Sequence, residues 1–191
     1  SVPQFKELLL MAFFCDECGY RNSEIKEGGE IGDRGKKITL HVKGDAQLMR
    51  DVFKCTAGGF SIPEVDLEAA AGTLGSIYTT VEGLLAKMLE GFQRNSFATG
   101  DSATSDDYRK FLKDVEDCKE GRRPFTLVID DPTDNCFLYN PHAPGPDPDA
   151  TIEYYERSHE QDEELGIAGM NVGADHGGNA DAGEGGDNEP V

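Results

Sequence analysis

The segment Cys15-Asp16-Glu17-Cys18-Gly19 has a spacing that metal chemistry uses. Two thiolates three residues apart on one tight loop can grip an ion, and the glycine lets the backbone pass close behind it. Structural zinc takes four such ligands in a tetrahedron, so the pair supplies half of a site. A redox dithiol is the other chemistry open to Cys-x-x-Cys, but such pairs usually open a helix after a βαβ-type strand. Here Gly19, polar residues and a further extended segment follow instead. The remaining three of the five cysteines, Cys55, Cys118 and Cys136, stand alone in the sequence and read as structural thiols.

No other constellation points to a reaction. His41, His142, His159 and His176 are scattered, without the two-histidine, one-carboxylate grouping of an iron-dependent barrel oxygenase. No serine sits in a G-x-S-x-G turn, and no loop has the G-x-x-x-x-G-K pattern that cradles phosphate. Asp130, Asp131 and Asp134 lack the regular ligand spacing and terminal glutamate of a calcium loop, and read as a solvated hairpin turn.

The elements that must position the knuckle are extended. Phe5 to Phe14 is a strand candidate leading into it, whose apolar run from Leu8 to Phe14 reads as buried, and Tyr20 to Ile25 leads out. Ile38 to Val42 alternates apolar and polar, as half-buried strands do. Val52 to Cys55 and Phe60 to Leu67 follow, with Pro63 weakening the second run. The period then changes. Thr79-Thr80-Val81-Glu82 reads as a capping box opening a helix with an apolar stripe at Val81, Leu84, Leu85, Met88, Leu89 and Phe92. Tyr108, Phe111, Leu112, Val115 and Cys118 repeat that spacing up to Gly121, so the two form a helical hairpin at about 79–121. Strands resume at Phe125 to Ile129, Phe137 to Tyr139 and Thr151 to Tyr155, and Glu160 to Leu165 forms a short helical turn. The pattern is mainly β (α+β), a β domain at 37–168 with an inserted helical hairpin, preceded by a partial zinc-finger lobe at 1–36. From residue 169 to 191 the chain is Gly, Ala, Asp and Glu with almost nothing apolar, the composition of a disordered acidic tail.

Composition narrows the partners. The formal net charge is −19, and 13 of the 37 acidic residues fall between Pro141 and Val191, against the single basic Arg157. Such a surface repels phosphate, which argues against direct nucleic-acid binding, and it favours association with a basic protein. The apolar run at Leu8 to Phe14 is far short of the ~20 residues of a membrane span and lacks the basic lead of a signal peptide. Few cysteines and an odd count do not suit a secreted disulfide framework, so a soluble intracellular protein without a membrane partner is expected.

Several stretches, in order and spacing, resemble the ZPR-type zinc-finger protein family. They are Val2 to Lys6, Met11 to Asn22, Gly28 to Ile31, Ile62 to Leu67, Thr79 to Leu85, Pro124 to Pro132 and Asn140 to Pro144, within residues 1 to about 168. The last two look more like the first of two modules found in eukaryotic members. The resemblance implies a four-cysteine zinc finger attached to a double-stranded β-helix that carries a helical hairpin. It implies a further Cys-x-x-Cys pair upstream of the segment matching Val2 to Lys6, so that Cys15 and Cys18 match the second pair. Half of the zinc site is then missing from this chain, and zinc is expected to bind it weakly. The implied function is a non-enzymatic adaptor or chaperone that binds translation elongation factor 1-alpha, with links to receptor tyrosine kinases, cell proliferation, and both cytoplasm and nucleus. The rival readings are a metal-dependent enzyme on a cupin-like barrel and a redox switch at Cys15 and Cys18.

Overall fold

The computed structural model describes residues 8–27, 30–96 and 106–169. Strands β1 (Leu8–Phe14) and β2 (Arg21–Glu27) form an antiparallel hairpin of their own, with Leu8 opposite Glu27 and Phe14 opposite Arg21. The main domain has β3 (Gly35–Val42), β4 (Asp51–Lys54), β5 (Gly59–Ile62), β6 (Leu67–Ala69), β7 (Ile77–Thr80), β8 (Phe125–Asp131), β9 (Phe137–Leu138) and β10 (Ala150–Tyr155). They make a five-stranded sheet ordered β10-β3-β8-β5-β6 and a three-stranded sheet ordered β7-β4-β9, antiparallel throughout. Helix α1 (Asp45–Leu48) is one turn, while α2 (Val81–Ser96) and α3 (Asp106–Lys119) are the long pair. The fold is mainly β with the expected helical pair between strands.

Alternation explains the core. Along β8 the residues Phe125, Leu127, Ile129 and Asp131 are buried and their neighbours only half so, because successive side chains point to opposite faces. Their partners across β3, namely Val42, Leu40 and Ile38, are buried too. The same cluster takes in Val52 and Phe53 of β4, Val81, Leu84, Leu85 and Met88 of α2, and Val115 and Cys118 of α3. The helices lean on each other through an edge-to-face contact of Phe92 and Phe111, with ring centroids 5.4 Å apart. The connection at 97–105 and the expected tail from residue 170 onward lie outside the described residues.

Three local readings need correction. The cap of α2 is Thr80, the last residue of β7, whose hydroxyl accepts from the Gly83 amide at 3.0 Å, and not Thr79 one place earlier in that strand. The run from Phe60 to Leu67 is two short strands, because Pro63 starts a single 3-10 turn and Asp66 takes a left-handed φ of 51°. The apolar run of β1 is a strand, but Leu9 (55% exposed), Met11, Phe13 (61%) and Phe14 are open to solvent. A two-stranded hairpin has no second sheet to cover both of its faces. Among the described residues, it packs on the core through Ile25, which pairs with Leu10 across the hairpin.

Residues 158–169 form a separate unit with α4 (His159–Glu164). Ser158 and Gln161 make a reciprocal capping box there, each side chain satisfying the other's amide. No helix among the described residues is long and apolar enough to cross a membrane.

Candidate metal centre and a buried thiol cluster

Cys15 and Cys18 sit on the turn that joins β1 to β2, where strand pairing ends at Phe14 and Arg21. The Cys15 amide donates to the Tyr20 carbonyl at 2.8 Å, and the Gly19 amide returns to the Cys15 carbonyl at 2.9 Å. Gly19 takes a left-handed φ of 71°, which favours glycine and lets the chain reverse behind the sulfurs. The Cys18 backbone amide, then its thiol and the Glu17 amide, hydrogen-bond Cys15 and hold its thiol pKa below the usual value. This is a knuckle arranged for thiolate, the form that binds metal. Its donor set suits zinc as two of four tetrahedral ligands. Among the described residues, no third histidine, cysteine or carboxylate completes a three-ligand group with the pair. The tilted ring pair of Phe13 and Tyr20, centroids 6.5 Å apart, flanks the turn.

The second cluster was not legible as a cluster. Cys55, Asp131 and Cys136, all buried, bring a ligand atom each to within 4.8 Å of one another. Cys55 follows β4 and Cys136 precedes β9, and the register of those strands (Phe53 opposite Phe137) delivers both to one end of the small sheet. The Cys136 thiol donates to Cys55 Sγ at 3.3 Å, and the Cys55 amide donates to Cys136 Sγ at 3.2 Å.

Asp131 is not a solvated turn residue; it is fully buried. Its Oδ1 accepts from the Thr133 amide (2.8 Å) and hydroxyl (2.6 Å), and its Oδ2 from the amides of Asn135 (2.7 Å) and Cys136 (2.5 Å). Burial pushes its pKa up, but the Thr133 hydroxyl and the amides of Cys136 and Thr133 outweigh that and hold it below the usual carboxylate range. The parity of β8 carried the missing signal, since Asp131 stands two residues beyond buried Ile129 on the same face.

The other expected residues behave as packing or surface. Cys118 is buried on α3, and burial pushes its thiol up to about 11. His41 is exposed on β3 with its Nδ1 3.3 Å from the Thr126 hydroxyl, and His142 and His159 are exposed. His176 lies outside the described residues. A groove of about 370 Å³ is lined by Ile25, Leu74, Ile77 and Tyr78 with Lys87 and Arg94 of α2.

Comparison with known proteins accounts for this architecture. A family model of the ZPR1 jelly-roll domain matches residues 46–167, and one of the ZPR1 zinc-finger domain matches residues 1–33. The chain belongs to the ZPR1 family. The zinc finger chaperone zpr1 of Schizosaccharomyces pombe is 43% identical over 174 residues, covering 89% of this chain and 38% of that protein. The zinc finger protein ZPR1 homolog of Caenorhabditis elegans is 39% identical over 90% of this chain and 39% of its own length. Zinc finger protein ZPR1 of Homo sapiens is 36% identical over 89% and 38%. The chain therefore spans under two fifths of the length of these relatives. Zinc is the metal of the ZPR1 N-terminal domain, whose matched range contains the knuckle, and the jelly roll is the mainly β domain described above.

Proposed function

We propose that this ZPR1-family chain is a zinc-stabilised docking module, an adaptor or chaperone that holds a protein partner and performs no reaction. Cys15 and Cys18 are two of its zinc ligands in this reading. The partner is translation elongation factor 1-alpha, with receptor tyrosine kinases as a further class, in both cytoplasm and nucleus. The observation that carries the reading is the outer face of the β1–β2 hairpin. Leu9, Met11 and Phe13 alternate along one side of the strand and are exposed, and exposed Tyr20 lies against Phe13. An apolar strip held out by a metal knuckle is a surface that a partner covers. A zinc-held turn is ordered before docking, so less conformational freedom is lost on binding. Support also comes from the S. pombe relative, which is named a zinc finger chaperone. The net charge of −19 speeds encounter with a basic partner.

Capture of purified elongation factor 1-alpha by the zinc-loaded chain tests the reading. Wild type should retain the factor at low and moderate salt, and Phe13→Ser should weaken capture by about tenfold, the effect of one lost apolar anchor. No capture by wild type would remove the partner; equal capture by the variant would remove the surface.

A further inference from the structure

The geometry points to Cys55 and Cys136 as a peroxide-sensitive dithiol, a modification site at which the two residues form a reversible disulfide between neighbouring strand ends of the small sheet. The sulfurs are 3.3 Å apart, with the Cys136 thiol hydrogen directed at Cys55 Sγ. The residues are 81 positions apart in sequence, yet the β4–β9 register places them side by side. Bond formation therefore needs side-chain rotation, not strand rearrangement.

The same three residues offer donors to a metal, but three observations favour oxidation. Two thiolates on one tetrahedral zinc stand roughly 3.8 Å apart at ordinary Zn–S lengths, wider than this pair. The Asp131 carboxylate already accepts four hydrogen bonds, so an ion would have to displace a donor that is itself buried. Gly58 packs close to the site, since a Cβ there would lie 2.5 Å from Cys136 Sγ and 3.3 Å from Cys55 Sγ, so no larger side chain fits beside the sulfurs. In the absence of an ion, a thiolate pair beside ionised Asp131 would bury three negative charges, whereas a disulfide adds none. The hydrogen bond to Cys55, burial and the Asp131 charge all push the Cys136 thiol up, so Cys136 keeps its proton and Cys55 is the sulfur that meets the oxidant first.

The oxidant is hydrogen peroxide, a neutral molecule small enough to reach the buried pair through local opening fluctuations of the fold. Cys55 gives up its proton, and its sulfur attacks one peroxide oxygen. The O–O bond breaks, and the departing hydroxide takes up a proton and leaves as water. Cys55 is then a sulfenic acid. Cys136 Sγ attacks that sulfur, the S–S bond forms, the S–O bond breaks, and the hydroxyl leaves as water with the Cys136 proton. Two thiols lose two electrons in all, and one peroxide becomes two waters.

The test treats the full, folded chain with excess peroxide, alkylates the remaining thiols and maps the peptides by mass spectrometry. A peptide pair linked through Cys55 and Cys136 should come to dominate and disappear on treatment with dithiothreitol. Cys136→Ser should stop at a Cys55 sulfenic acid that dimedone traps. Recovery of Cys55 and Cys136 as alkylated thiols after prolonged exposure would overturn the proposal. So would a stoichiometric metal ion that Cys55→Ser loses and Cys15→Ser keeps. The crosslink in unsubstituted protein needs no variant to fold.

Discussion

Cys15 and Cys18 stand three residues apart at the tip of a hairpin, one half-buried and one exposed, while Cys55 and Cys136 come together from distant strands and are fully buried. At the tip, amides aim at Cys15 sulfur and lower its pKa. In the jelly roll, Cys136 donates its own hydrogen beside a buried carboxylate, and its pKa rises. Residue type is the same, so the difference belongs to the surroundings. Donors with access to solvent favour the thiolate, and burial beside an anion favours the thiol. The knuckle is thereby suited to a metal and the buried pair to proton-bearing or bonded sulfur.

The sharpest way to break the contrast is to truncate one aromatic in each region. Phe53→Ala in the jelly-roll core should lower unfolding free energy by about 3–5 kcal/mol in urea melts. Phe13→Ala on the open hairpin face should change it by within about 0.5 kcal/mol. Similar losses at both positions would mean that the hairpin face is covered after all.

Two aspartates give the next comparison. Asp131→Ala strands the Thr133 hydroxyl and three backbone amides in the interior, and should cost about 3 kcal/mol. Asp16→Ala, on the exposed knuckle turn, should cost about 0.5 kcal/mol or less. An Asp131 variant as stable as wild type would contradict the buried turn.

Alkaline pH gives a smaller effect. The folded protein keeps the Cys118 proton up to about 11, whereas the unfolded chain releases it near 9.0. The unfolded state is therefore favoured as pH rises, so stability that is complete below 9.0 falls between there and about 11. The expected fall is roughly 2–3 kcal/mol from this thiol, read as a shift in urea midpoint, and Cys118→Ala should flatten it. A midpoint equally pH-dependent in that variant would show that another group titrates.

Legibility followed the range of the interactions. The helical stripes at Val81 to Phe92 and Tyr108 to Cys118 could be read because residues three and four apart share a helix face. The strand at Ile38 to Val42 showed its alternation directly. The exposure of β1 could not be read, since an apolar run looks the same whether or not a second layer covers it. Asp131 sat within reach of the reading, two places beyond Ile129, but its acidic neighbours suggested solvent.

By itself the sequence determined the knuckle, the helical pair and the acidic balance, because each depends on chemistry within a few consecutive residues or on composition alone. Tertiary structure decided which thiols meet, which carboxylate is interior and which apolar strand stays open. Those outcomes depend on strand register and on what packs over each face, and the register alone joins residues as far apart as Gly35 and Tyr155.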